Sequence, residues 1–424
     1  MLRTVQRTVQ YSMLLVGFGL FAAGCGVGSG GGGGTVDPSG DGPGVVWSLT
    51  YGETQPDFAG DVLALSDGAL FVGDTYSDAD QYRYGTWITV NSAGEGRDIR
   101  YFGASTLKPV RVTGGWGGGY VVLGYLFTSG SDITQPILTE LGPNGADLGS
   151  YVAINLTDAR PYDMITYDDG YIEVGATRQG PFSGQNAYIR KLSATFSEEW
   201  LVYHGESNDD AAYSVTSTPE GEYMVAGYTT SYAADERDII LWRLDEEGQY
   251  IDNYLITQAG NQEALRILRN PSDGTYLLLG YTDEGANGDD VLLLKVDGGG
   301  QVLWRARFGG VQDERGMDLV LAGTTIVIVG YTNSFGNGDF DAYYIGVSSD
   351  GMELWTGWDG GASEDIAVAV AYEPDRGFYV AGNTQSYGLG GSDVWMTRLN
   401  TLDSGDSTLM IEGVQSLNQP VQLR

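Results

Sequence analysis

Ile326-Val327-Ile328-Val329-Gly330 decides the fold, because a run of this kind occurs seven times along the chain. Its counterparts are Phe71-Val72-Gly73, Val122-Leu123-Gly124, Glu173-Val174-Gly175, Val225-Ala226-Gly227, Leu278-Leu279-Gly280 and Val380-Ala381-Gly382. Successive glycines lie 51, 51, 52, 53, 50 and 52 residues apart. Units of that length, each rich in strand signals, read as the blades of an all-β, seven-bladed β-propeller with four antiparallel strands per blade.

The unit around Gly330 shows how one blade is written. Residues 317–321 form a first strand, Gly323-Thr324 a turn, and 325–330 a second strand. Residues 342–347 are a third strand, ended by Ser349-Asp350-Gly351, and 353–358 a fourth. An all-apolar second strand implies burial on both faces, which a blade sandwiched between two neighbours requires. The glycine closing that strand allows close backbone approach or a bulge. Trp47, Trp200, Trp304 and Trp355 each precede a glycine by five residues, a recurrence that points to packing between blades. The chain opens on a fourth-type strand, 45–52, and its seventh repeat, 366–399, holds three strands. The N-terminal strand is therefore expected to complete the last blade and close the ring, removing exposed edges. Residues 408–414 compete for the same place.

These repeats resemble the SBBP-type seven-bladed propeller repeats of bacteria. The likeness rests on Trp304-Arg305-Ala306-Arg307-Phe308-Gly309-Gly310, on Val329-Gly330-Tyr331-Thr332, and on Asp341 and Ser349-Asp350-Gly351. Blades four to seven carry it well, and blades one to three are degenerate. The resemblance implies fold and envelope location and says little about chemistry, because propellers host unrelated functions.

The N-terminus is a separate region. Arg3 and Arg7 precede a mostly apolar stretch, 11–23, of signal-peptide length and too short to span a bilayer. It ends in Ala22-Ala23-Gly24-Cys25, which resembles a bacterial lipobox. The resemblance implies cleavage before Cys25 and acylation of that residue. The alternative is an ordinary secretory signal. Cys25 is the one cysteine of the chain, so no disulfide or thiolate metal site competes for it. Residues 1–24 are thus expected to be a signal peptide and 25–44 a Gly-rich tether. Residues 45–400 would be the propeller and 401–424 a tail. Gly26, by likeness to bacterial sorting signals, leans towards the outer membrane.

The formal net charge is −34. Such a surface repels nucleic acid and anionic headgroups and suits cations or cationic partners. The loops before each first strand and after each second strand share one rim, and this rim is acidic. Its richest segment, Asp283-Glu284-Gly285-Ala286-Asn287-Gly288-Asp289-Asp290, together with Asp339 and Asp341, forms a candidate Ca²⁺ site, since this hard cation takes six to eight oxygens. The structural alternative is that Asp238, Asp290, Asp341 and Asp393, which recur at one blade position, cap turns. His204, the sole histidine, occupies the place of Tyr51, Phe102 and Phe308 in other blades and reads as a packing ring. No Ser-His-Asp set is identifiable.

Residues that break the repeat are the candidate contacts: Tyr82, Arg83 and Tyr84 in the loop 80–84, and Arg160 and Arg178 in the third blade. Aromatic and Arg side chains are favoured at interfaces. The expectation is a lipid-anchored binding scaffold for an envelope protein or a glycan. The rival is a polysaccharide-acting enzyme using two rim carboxylates.

Overall fold

The computed structural model describes residues 43–77, 82–95, 98–103, 106–127, 133–232, 236–284, 288–400 and 415–416. Cys25, the signal segment, the tether up to residue 42, residues 80–81, Asp235, residues 285–287 (Asn287 included) and residues 401–414 lie outside them. No helix occurs among the described residues, and the strands form seven antiparallel sheets of a ring.

The ring closes through the N-terminal strand. Blade seven runs Asp365–Glu373, Gly377–Thr384, Asp393–Leu399 and then Val45–Tyr51. Leu49 lies opposite Met396 and Tyr51 opposite Val394 in an antiparallel ladder. Trp395 Nε1 donates to Ser48 Oγ at 2.6 Å inside this seam. The tail does not displace the N-terminal strand. Gln415–Ser416 adds outside it in parallel, as a fifth strand.

Every innermost strand carries a bulge at one place, and the repeat glycine causes it. The glycine of the second strand pairs with a small or cyclic residue: Ala59, Pro109, Pro161, Ala212, Ala264, Gly316 or Ala367. One residue further along, the innermost strand holds an extra, unpaired residue. A methyl group on Gly227, Gly280 or Gly330 would overlap the carbonyl oxygen of Ala211, Glu263 or Arg315 in the innermost strand. Only glycine admits that approach, and the approach lets the strand bulge. Pro109 and Pro161 are tolerated because a bulge needs no ladder donor there.

The core is divided among the interfaces between blades. One apolar cluster joins blades seven and one through Leu49, Met396, Val62 and Phe71, and another joins blades five and six through Leu277, Leu293, Ile326 and Ile345. The remaining interfaces are filled in the same way. The cluster between blades two and three is the thinnest of these seven, in keeping with their degenerate repeats.

Three fourth-strand tryptophans each lock their blade to the next. Trp47 Nε1 donates to Ser92 O at 3.1 Å, Trp200 Nε1 to Glu246 O at 3.2 Å and Trp304 Nε1 to Ser349 O at 3.2 Å. Each indole lies over a glycine of the neighbouring turn: Gly94, Gly248 or Gly351. Gly351 has φ +87° and a methyl there would meet the Trp304 ring at 2.9 Å. Trp355 differs, being buried within the contact of blades six and seven. His204 takes the packing role expected of it, with its ring 6.1 Å from Trp242 and 5.9 Å from Tyr250. Burial lowers its pKa to about 4, so it is neutral near pH 7.

Trp304→Ala removes one such lock. It should cost about 3 kcal/mol, the low end for aromatic truncations because one edge of this ring meets solvent. Gly351→Ala should destabilise as well, by adding strain to overlap. Urea unfolding with an unchanged m-value checks both.

Candidate functional site in the central channel

The bulges put their extra residues into the central channel. Gly60, Val110, Tyr162, Tyr213, Leu265, Met317 and Val368 hold the seven equivalent positions, and all of them line one cavity of about 620 Å³. The cavity opens at the rim where first strands begin and second strands end. Its volume falls within the roughly 300–1,000 Å³ of small-ligand sites.

A buried ion network forms beneath the bulges. Arg111 Nε donates to Asp163 Oδ1 at 2.7 Å, and Arg111 Nη1 donates to Asp61 Oδ1 at 3.3 Å and lies 4.0 Å from Asp318 Oδ2. Arg266 Nε donates to Asp318 Oδ1 at 3.1 Å. The same aspartates stitch neighbouring blades. Asp61 accepts from Val112 N at 2.8 Å, Asp163 from Val215 N at 3.1 Å and Ser214 Oγ at 2.6 Å, and Asp318 from Val370 N at 3.0 Å. Arg111 of blade two thus reaches blades one, three and six across the channel. Burial raises the Asp61 pKa despite Arg111. At Asp163 burial acts the same way, but Arg111 and Arg266 outweigh it and hold the carboxyl below its usual range.

The cavity walls are aromatic and charged. Its lining carries four cations, Lys108, Arg160, Arg266 and Arg315, against two carboxylates, Asp74 and Glu263, although the chain as a whole is strongly acidic. Both carboxylates are already paired, Asp74 with Arg83 and Glu263 with Arg237. Burial pushes the Asp74 carboxyl up to about 6 even so. Arg315 donates to Asp289 Oδ2 at 2.7 Å and lies 3.9 Å over the Tyr281 ring. Lys108 and Arg160 form no salt bridge among the described residues, although the charge of Lys108 reaches Asp74. They lie on aromatic faces, Lys108 4.8 Å over Phe58 and Arg160 5.1 Å over Tyr125 and 5.6 Å over Tyr162.

Of the contacts expected from the sequence, Arg160 lines the cavity. Arg83 is a wall brace, bound to Asp74 and to Pro56 O at 2.8 Å. Tyr84 packs 6.0 Å from Tyr101, Tyr82 is exposed, and Arg178 is exposed on the rim after the second strand of blade three. The candidate calcium ligands are held separately. Asp283 accepts from Asn261 Nδ2 at 2.7 Å, Glu284 from Arg305 at 2.6 Å, and Asp289 from Arg315. Asp290 lies 3.3 Å from Arg307, Asp341 accepts from Asn337 N at 3.0 Å and Gly338 N at 3.2 Å, and Asp339 is exposed. A calcium ion at these oxygens would compete with Arg305, Arg307 and Arg315. Among the described residues, no three His, Cys, Asp or Glu side chains gather as a metal-binding group.

The recurring rim acids organise loops. Asp365 accepts from Gly361 N at 2.7 Å and Ser386 Oγ at 2.6 Å, and Glu314 from Thr332 Oγ1 at 2.7 Å and Ser334 N at 3.1 Å. They also meet acids of the preceding blade. Asp341 and Asp365 converge on Gly360, and Asp393 and Asp57 converge on Gly52. Burial, then Asp365 and Asp341, raise the Asp359 pKa to about 7, and burial, then Asp57, raise that of Asp393 to about 7. At equivalent ladder positions elsewhere the chain carries amides, Asn186 opposite Thr177 and Gln262 opposite Thr282.

No protein-family model and no curated protein matches the chain. Solved structures match its fold. A chain in a crystal structure of the mitotic checkpoint complex aligns over 92% of this chain and 99% of its own, at 9% identity and TM-score 0.52. The β-propeller domain of the Trilobed protease from Pyrococcus furiosus aligns over 84% and 98%, at 9% identity and TM-score 0.47. Sqt1 from Chaetomium thermophilum aligns over 86% and 99%, at 8% identity and TM-score 0.48. At such identities the likeness is one of architecture.

Arg111→Met leaves three buried carboxylates short of a cation and should cost about 3–5 kcal/mol. Arg111→Met with Asp163→Leu should recover part of that loss, as read by denaturant midpoints. The pH dependence follows from Asp359 and Asp393. Their folded pKa of about 7 lies above the ordinary 3.8, so the folded chain binds more protons in between. Their contribution is full below pH 3.8 and is lost as pH rises through about 7. Asp359→Asn and Asp393→Asn should flatten the fall in melting temperature across that window and raise it at pH 8.

Proposed function

We propose that the chain is a lipid-anchored binding scaffold of the bacterial cell envelope, with the channel mouth as its contact site. One observation supports this reading above others. The repeat is kept wherever blades pack, yet it is abandoned in the ring of residues facing the channel. Phe58, Lys108, Arg160, Ala211, Glu263, Arg315 and Ile366 occupy one ladder position, and the five of them that line the cavity are an aromatic ring, three cations and a carboxylate. A purely structural ring has no need for six kinds of side chain there. The lipobox-like Cys25, the Gly-rich tether and the SBBP-type repeats support envelope placement, and the net charge disfavours nucleic acid.

The test uses the full chain, extracted in detergent, against a glycan array and purified envelope fractions. A saturable ligand should be retained, and Arg160→Met or Lys108→Met should reduce retention without changing the melting temperature. Retention that these variants leave untouched would remove the channel from the reading. Cys25→Ala should abolish labelling by a palmitate analogue and shift the protein from the membrane to the soluble fraction.

A second reading has one observation in its favour, the Asp74 carboxyl raised to about 6 in a cavity that also holds Glu263. That value suits a general acid. Release of reducing ends from polysaccharide that stops in Asp74→Asn would establish it.

A further inference from the structure

We propose that the channel mouth takes a carboxylated sugar residue, the uronate unit of an acidic glycan, between Lys108 and Arg160. The proposal deepens the scaffold reading and rests on it. Charge gives the first argument. Every other cation of the lining has an acidic partner: Arg266 is held by Asp318 and Arg315 by Asp289. Lys108 and Arg160 stand on adjacent blades in one layer, opposite Tyr125 and Ala176 in their ladders, and form no salt bridge among the described residues; the nearest acid to Lys108, Asp74, feels its charge but is bonded to Arg83. A ligand carboxylate supplies the missing partner, and a guanidinium binds carboxylates with two parallel donors.

The amount of charge gives the second. Beneath the mouth lie three aspartates, Asp61, Asp163 and Asp318, against two arginines, Arg111 and Arg266. A dense anion such as phosphate, with up to two charges, would be repelled by this excess more strongly than the single charge of one carboxylate on an uncharged ring. The walls give the third. Phe58, Tyr125, Tyr162, Tyr213, Tyr281 and Tyr331 surround the cavity. Aromatic faces stack on the C–H faces of a sugar, and the amide nitrogen of Asn383, whose oxygen is taken by Ala59 N, can donate to its hydroxyls.

An acidic peptide fits less well. It would seek backbone partners along the inner strand edges, and the amides of Val112, Val215 and Val370 there are already bonded by Asp61, Asp163 and Asp318. The global charge has a kinetic corollary. The acidic surface repels an acidic glycan at long range while the mouth attracts it at short range. Association should therefore speed up as salt rises from low ionic strength.

The experiment is calorimetric titration of the detergent-extracted full chain with a short oligogalacturonate, its methyl ester, sulfate and an acidic peptide. The oligogalacturonate should bind saturably, and the neutral ester about tenfold or more weakly, the worth of one charge-assisted contact. Lys108→Met and Arg160→Met should each bring the acid down towards the ester, and Arg178→Ala should change nothing. The acid–ester comparison on the unmodified chain stands even if a variant misfolds. Equal binding of ester and acid overturns the proposal, as does tighter binding of sulfate or peptide, or no binding of any probe. If the oligogalacturonate fails while channel variants still lose the envelope ligand, only the ligand class is wrong. If both fail, the scaffold reading falls with it.

Discussion

A glycine without a side chain, pressed against the carbonyl of the neighbouring strand, sets the geometry of this molecule. Where Gly280 meets Glu263 O or Gly330 meets Arg315 O, no Cβ fits, and the innermost strand gains one residue over its partner. That extra residue reverses which side chains face the axis from that point on. Above the bulge the walls present the varied ring from Phe58 to Ile366. At the bulge they present Tyr162, Tyr213 and Met317, and below it the charged layer of Asp61, Arg111, Asp163, Arg266 and Asp318. A side-chain period of two makes a single inserted residue sufficient for the change.

The charged layer then does two things that apolar packing would do less specifically. Each aspartate accepts an amide of the following blade, which fixes the offset between neighbouring inner strands. Arg111 joins these contacts across the axis. Replacing such networks by apolar residues is often neutral or stabilising, so their contribution here lies in specifying one arrangement of blades. The rim repeats the theme with carboxyls that share little solvent, such as Asp359 beside Asp365 and Asp341. The rim therefore responds to protons, while Arg111, its pKa raised well above the usual value because Asp163 and the other acids outweigh burial, keeps the floor charged.

Much of this was legible in the chain itself. The interval between glycines, the doubly buried second strands and the leading strand at 45–51 gave the blade number and the closure. The tryptophans at 47, 200 and 304 announced the contacts between blades because their spacing to a glycine is constant. The bulge was less accessible, since a glycine permits either a close approach or a bulge and only the pairing separates them. The ion network escaped for a related reason. Asp61, Arg111, Asp163, Arg266 and Asp318 lie twelve to fourteen residues before a repeat glycine, a charged position inside an otherwise apolar strand. Their spacing to the glycine varies by one or two residues with the length of the intervening hairpin, and only the bulge residue, which each follows directly, shows that the register is constant. Arg160 stood out because it breaks the repeat. Lys108 did not, because a single lysine in a degenerate blade resembles drift.

The closing seam has a mechanical consequence. The strand Val45–Tyr51 is the first among the described residues and is gripped on both sides, antiparallel by Asp393–Leu399 and parallel by Gln415–Ser416. A pull arriving through Gly44 acts along that strand. It loads the ladder from Val45 to Tyr51 together, along with the bonds from Trp395 to Ser48 and from Thr397 to Trp47. Ladders sheared in this way resist as a group, whereas ladders opened from one end yield a bond at a time. The ring is thus joined to whatever precedes residue 45 through a strand whose ladder bonds share an axial load.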